Sequence, residues 1–282
     1  MTDAEVAIAV VEAGATIVRR CFGGSLERVD KGARDFATSA DVEAEHAMLE
    51  VLRQARPQDS IIGEETGRSG VLDGGRRWLL DPLCGTLNYA AGMRVVAVNA
   101  ALHDGTSFIA AAVADPFNHE VYWTDMSSAL VRTQGGDATL SPHSRSRLVD
   151  LNLDPPFPNA RAFRAVDLLS DSRFTNSFRP RVVSTSMALA WVATGQRAAY
   201  VTDGDPRGSV HFAAGIALCQ AAGAVVTDLG GLRWDHGAGG LLAAGDAETH
   251  AELLGIVKSL RSEVVGTRPS TGPPQWTPRS GY

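Results

Sequence analysis

Cysteine is scarce in this chain, and the scarcity is informative. Cys21, Cys84 and Cys219 are the only three among 282 residues. That is too few and too scattered for a disulfide framework or a cysteine-rich zinc module. Positive charge is also short: 26 Lys and Arg against 32 Asp and Glu leave a net charge of −6. No basic face therefore advertises nucleic acid or an anionic membrane as a partner. Long apolar runs are missing too. VVAVNAAL at 95–102 and FIAAAVA at 108–114 fall far short of the roughly 20 residues that a bilayer span needs. The opening MTDAEVAIAVVEAGA is acidic, with no basic stretch ahead of its apolar residues. A secretory signal is not expected there, and a cytoplasmic protein is.

What is present suits a globular enzyme. The chain is 44% hydrophobic and 21% charged, and its length supports one large domain or two smaller ones with real cores. Val6, Val10, Ala13 and Ile17 recur at a helical period over 4–20. A second helix over 41–55 carries Val42, Met48, Leu49 and Leu52 and is stopped by Pro57. The stretch between them, 26–41, reads as turn-rich and extended. Strands are expected at 60–65, 78–82 and 119–126, with 95–105 and 107–116 forming a hairpin at Asp104-Gly105. A zone rich in Ser, Pro and Arg follows at 141–160. Beyond it, strands at 149–153, 181–184, 198–202 and 224–228 alternate with helical segments near 160–170, 187–195, 210–223 and 247–263. Alternation without a repeat gives a mixed α/β class built in layers. The expected division is an N-terminal α+β domain over 1–148, a C-terminal α/β domain over 149–264, and a disordered tail over 265–282.

Chemistry concentrates at WLLDPLCGTLNYA, residues 78–90. A buried strand stops at Asp81-Pro82 and turns through Gly85 into a helix beginning at Thr86. A carboxylate at a strand's carboxyl end, followed by a turn with free N–H groups, suits a metal and a phosphate. Glu64 and Glu65 end the preceding strand in the same abrupt way. Adjacent strands would set such groups about 5 Å apart, the spacing a hard cation such as Mg²⁺ can use.

The order of these motifs resembles the inositol monophosphatase family over essentially residues 4–263. It runs Lys31, Asp35-x-x-Thr38-x-x-Asp41, then IIGEE at 61–65, WLLDPLCGTLNY at 78–89, HFAAG at 211–215 and AGAVVTDLGG at 222–231. The resemblance implies an αβαβα five-layer sandwich, a Mg²⁺-dependent phosphomonoesterase, a small phosphorylated substrate (a sugar, inositol or nucleotide phosphate) and a homodimer. It further implies that Glu64, Asp81 and the Leu83 carbonyl hold the first Mg²⁺. Thr86 and Asp41 would orient the attacking water, and the Gly85 and Thr86 amides would cradle phosphate.

The family's motifs read DP-x-D-GT and WD-x-AAG, and the two Asp residues that serve its second metal are Cys84 and His211 here. Thiol and imidazole are poor Mg²⁺ ligands. Three readings follow. In one, a single Mg²⁺ suffices and His211 protonates the leaving oxygen as a general acid. In another, Asp81, Cys84 and His211 hold Zn²⁺. In the third, the chain binds a phosphorylated metabolite without hydrolysing it, or catalyses elimination or cyclisation on it. Cys84 as a buried filler and His211 as an ordinary satisfied histidine are the plain alternatives. For substrate contact, Asp203, Asp205 and Arg207 in the stretch 198–210 are the polar candidates.

Overall fold

Helix α1 (Asp3–Cys21) starts at a capping box, in which the Thr2 hydroxyl accepts the Glu5 N–H while the Glu5 carboxylate accepts the Thr2 N–H at 2.7 Å. Acidic residues in its first turn and Arg19 and Arg20 in its last complement the helix dipole. The structure, a computed structural model, describes residues 1–24, 28–32, 35–70, 75–153, 163–237 and 239–266. After α1 come a two-stranded ribbon, β1 (Arg28–Gly32) and β2 (Asp35–Thr38), and helix α2 (Ser39–Ala55).

Eight strands form the large sheet. In chain order they are β3 (Ser60–Gly63), β4 (Gly67–Gly70), β5 (Arg77–Cys84), β6 (Ala97–His103), β7 (Phe108–Asp115), β8 (Glu120–Thr124), β9 (Ala129–Thr133) and β10 (Gly136–Thr139). Their spatial order is β10-β9-β8-β7-β6-β5-β3-β4. Neighbours are antiparallel except β3 and β5, which run parallel with Gly63 opposite Leu80. Helix α3 (Thr86–Ala90) follows β5 directly. The five-stranded second sheet is ordered β12-β11-β13-β15-β14. It holds β11 (Leu148–Asn152), β12 (Arg179–Val182), β13 (Ala199–Thr202), β14 (Val225–Thr227) and β15 (Leu241–Ala244). The remaining helices are α4 (Ser172–Ser177), α5 (Met187–Ala193), α6 (Val210–Ala222) and α7 (Ala247–Gly266), with a 3-10 helix at Ala165–Ser170.

Three apolar clusters explain the stacking. α1 and α2 bury Val6, Val10, Met48 and Leu52 against Trp78, Leu80, Val98 and Leu102 on one face of the large sheet. The opposite face, with Leu79, Ala97 and Ala101, packs against α5 and α6, whose far sides meet Tyr200 and Ala243 of the small sheet. The outer face of that sheet, with Val149, Leu151 and Val201, is covered by Leu253 and Val257 of α7 and by Phe174 of α4. Read across, this is an αβαβα five-layer sandwich. Among the described residues, no helix is long and apolar enough to cross a membrane.

Several elements depart from the sequence reading. The strand expected over 60–65 ends at Gly63, and the one over 181–184 lies at Arg179–Val182. β4 and β10 were not expected, because edge strands with largely exposed side chains carry no apolar alternation, and β9, inside β10 in the sheet, was not expected either. β15, Leu-Leu-Ala-Ala, is buried on both faces, so it shows no alternation either. The helical segment near 160–170 is the 3-10 helix, and α4 follows it as a separate turn. From residue 267 onward, the tail lies outside the described residues, as do the side chains of Lys31 and Asp35.

Candidate active site

Parallel pairing sets the carboxyl end of β3, at Gly63, beside Leu80 of β5, and β5 does not stop at Asp81 as expected but runs on to Cys84. The Glu64 N–H donates to the Leu80 carbonyl at 3.1 Å, which sets Glu64 next to Asp81. Register then decides what shares a face with Asp81. Asp81 pairs with Asn99 and Cys84 with Ala97, so β5 spends three residues where β6 spends two. In a regular strand, residues three apart point to opposite faces. The bulge turns Cys84 onto the same face as Asp81, toward α5 and α6. His211, in the first turn of α6, meets them there: its Nδ1 lies 2.9 Å from Asp81 Oδ2 and 3.9 Å from Glu64 Oε2. One ligand atom from each of Asp81, Cys84 and His211 can be chosen so that all three lie within 4.8 Å of one another.

A second group adjoins the first. Asp41 is the third residue of α2 and fully buried. Its Oδ2 accepts the Thr38 N–H at 2.8 Å and also the Thr38 hydroxyl. Its Oδ1 lies 2.9 Å from Thr86 Oγ1, which is also 3.1 Å from the Leu83 carbonyl. A hydroxyl with two acceptors commits its single proton to them and leaves its lone pairs for a donor such as water. Gly85 opens α3 at φ +105°, and a Cβ there would meet the Val95 and Ser184 carbonyls at 3.0 and 3.1 Å. Only glycine fits that turn.

Electrostatics follow from burial and pairing. Burial alone would raise Asp81, but the charge and hydrogen bond of His211, with bonds to Glu64 and Cys84, hold it below the usual carboxylate range. Burial likewise works against a charged His211, and the Asp81 charge and hydrogen bond, helped by Cys84 and Glu64, hold it well above its ordinary value. Burial, then the Asp81 charge, push the Cys84 thiol up to about 11.

Residues that the motif reading passed over support this centre. The Glu45 carboxylate, buried in α2, accepts the N–H groups of Glu65 and Thr66 at 2.8 Å each. It thereby fastens the turn that carries Glu64. Its signal was in the sequence: an acidic residue one helical turn after Asp41, within a stripe shared with Ala44, Met48 and Leu52. The Ser186 N–H donates to Cys84 Sγ at 3.1 Å, Thr185 Oγ1 donates to the Cys84 carbonyl at 3.1 Å, and Ser186 Oγ donates to Asn99 Oδ1 at 2.9 Å. Buried Asn99 keeps a side-chain Nδ2 without a partner among the described residues. The other sequence candidates are engaged elsewhere. Asp203 is buried and accepts Arg164 Nε at 3.1 Å and the Ala165 N–H at 3.2 Å. Asp205 and Arg207 pair with each other inside their own turn.

Donor chemistry divides the centre in two. Glu64, Asp81 and the Leu83 carbonyl offer hard oxygens, which fit Mg²⁺. A second Mg²⁺ does not fit beside them, because Cys84 and His211 replace oxygen with sulfur and nitrogen. Carboxylates from the end of β3 and from within β5 thus meet next to a helix-opening turn in a layered α/β sandwich.

The chain belongs to the inositol monophosphatase family, whose model matches residues 1–262. Among curated relatives, the inositol-1-monophosphatase of Caulobacter vibrioides is 29% identical over 79% of this chain and 88% of its own length. The inositol-1-monophosphatase ImpA of Mycolicibacterium smegmatis is 33% identical over 82% of this chain and 83% of its own. Among solved structures, the extragenic suppressor protein SuhB of Bartonella henselae superposes with a TM-score of 0.77 at 22% identity. The match covers 94% of this chain and 98% of that one, a likeness of fold.

Proposed function

We propose that this protein hydrolyses the phosphate monoester of a small phosphorylated metabolite, with Mg²⁺ held by Glu64, Asp81 and the Leu83 carbonyl. The observation that carries the reading is the convergence of Glu64 and Asp81 beside the Asp41–Thr86 pair. In the reaction a water oxygen bonds to phosphorus as the bond from phosphorus to the alcohol oxygen breaks; the water gives up one proton to solvent, and the leaving alcohol oxygen takes one up from solvent or from His211. Mg²⁺, when bound, supplies positive charge to the phosphoryl oxygens and lowers the pKa of water. The chain's own groups do the positioning. Asp41 accepts the hydrogen bond of the Thr86 hydroxyl, which keeps its proton, so that a lone pair of Thr86 Oγ1 faces the attacking water and aims it. The turn through Gly85 presents backbone N–H groups to the phosphate. Asp203 and Asp205 spend their carboxylates on Arg164 and Arg207 and are given no part in the chemical step. The working form on this reading is a homodimer, as the family resemblance implies, in the cytoplasm.

The test is release of inorganic phosphate from a panel of inositol, sugar and nucleotide monophosphates, with Mg²⁺ and with a chelator. Chelator-sensitive turnover of at least one ester, lost in Asp41→Asn, is the expected result. Failure of every ester, with each metal tried, overturns the reading. The pairing of Asp81 with His211 favours a second reading, in which the protein binds a phosphorylated ligand without cleaving it. Calorimetric binding of an ester that is never turned over selects that one.

A further inference from the structure

We propose that Asp81, Cys84 and His211 form a seat for a thiophilic transition metal, zinc in the first instance, sharing Asp81 with the Mg²⁺ seat. The proposal deepens the phosphatase reading by naming what replaces the second Mg²⁺, and the binding itself does not depend on hydrolysis. Borderline-soft Zn²⁺ takes sulfur, imidazole nitrogen and carboxylate oxygen together, whereas Mg²⁺ does not. Around a tetrahedral Zn²⁺ with bonds of roughly 2.0–2.3 Å, ligand atoms sit roughly 3.3–3.8 Å apart. Here the three donors lie within 4.8 Å of one another, and the nitrogen–oxygen pair is already at 2.9 Å. Closing onto an ion thus asks for shifts of about 1 Å, within the reach of side-chain torsions.

Two further features point the same way. The first is the β5 bulge, without which Cys84 would face away from Asp81 and His211. The second is the backbone N–H of Ser186 on Cys84 Sγ. An amide donor on sulfur favours the thiolate, the form that binds metal, and orients it. Three protein ligands leave a fourth position, as in catalytic rather than structural zinc sites. On binding, the Cys84 thiol proton and any proton shared by His211 and Asp81 pass to solvent.

The test uses the full chain. Protein dialysed against zinc-free buffer containing Mg²⁺ is expected to retain stoichiometric zinc, and Cys84→Ser and His211→Ala are expected to lose it. Replacing zinc with Co²⁺ gives a thiolate-to-cobalt absorption band that vanishes in Cys84→Ser and persists in Cys21→Ser. The persistence control shows that the band comes from this cysteine and not from another thiol. Circular dichroism establishes that both variants are folded, and Cys84→Ala is a backup if Cys84→Ser is not. Loss of all zinc on dialysis together with absence of the cobalt band overturns the proposal. So does a His211→Ala variant that keeps its metal but loses turnover, which would make His211 a proton donor instead. Zinc retained by a protein that cleaves no ester leaves the seat standing and removes the phosphatase reading alone.

Discussion

Replacing Glu45 by alanine withdraws the carboxylate that fastens the turn carrying Glu64 and Glu65. Both oxygens are used, each accepting a backbone N–H at 2.8 Å, and the side chain is fully buried. Hydrogen bonds to a charged group contribute about 1.5–3 kcal/mol each. Two that share one carboxylate are not additive, so the expected loss is about 3–5 kcal/mol. No neighbour fills the space, because the facing residue is Gly63, where a Cβ would come within 2.3 Å of the Glu45 carboxylate. Against a typical domain stability of about 5–15 kcal/mol, the variant is expected to fold at 25 °C with a much lower urea midpoint. Its Mg²⁺ requirement for half-maximal phosphate release should rise, since Glu64 loses its fixed position. Glu45→Gln keeps one acceptor and should fall between. A Glu45→Ala protein with the wild-type urea midpoint and wild-type Mg²⁺ dependence would show that the tether carries nothing.

Thr86→Val keeps the shape of the side chain and removes the hydroxyl between Asp41 and the Leu83 carbonyl. Phosphate release should fall by roughly 10²-fold or more, with stability changed by only about 1 kcal/mol. Gly63→Ala should destabilise the same turn as Glu45→Ala, read as a lower midpoint in urea, because its Cβ would strike the Glu45 carboxylate. Far from the site, Asp3 receives Arg56 and Arg76. Partial burial raises its pKa, but the two guanidinium groups more than offset that and hold it below the usual carboxylate range. A depressed folded pKa contributes stability above the unfolded value of about 3.9. Wild type should therefore exceed Asp3→Asn by about 1–2 kcal/mol at neutral pH. Thermal unfolding should show that gap closing as the pH falls below about 4. Zinc affinity, read by competition with a chromogenic chelator, should increase with pH, because Cys84 and His211 both hold protons that the metal must displace.

The helices and the central strands were legible because burial writes a period into the chain. α1, α2 and α6 lie within a few residues of where their apolar residues placed them, and the β6–β7 hairpin turns where Asp104-Gly105 said it would. β4, β10 and β15 were not legible, two because exposed edges have no pattern and one because full burial erases alternation. At the site, motif spacing brought Asp41, Glu64, Asp81 and Thr86 into view. The β5 bulge that swings Cys84 round to His211 is a matter of register, which only pairing with β6 reveals. Glu45, Asn99 and Ser186 were passed over because each acts through a neighbour. A supporting residue has no motif of its own, only an unexpected polar side chain in an apolar setting. Asp203 shows the reverse, a loop carboxylate read as a substrate contact whose oxygens meet Arg164 and the Ala165 N–H.

Asp81, on this account, stands between a hard-oxygen seat and a sulfur–nitrogen seat, and crystals grown with Mg²⁺, Zn²⁺ and inorganic phosphate would test that most directly. Diffraction data collected at the zinc absorption edge should give an anomalous peak bounded by Asp81, Cys84 and His211. A separate cation without anomalous signal should be bounded by Glu64, Asp81 and the Leu83 carbonyl. Zinc in the Glu64 seat alone, with Cys84 and His211 turned away from any ion, would contradict the account.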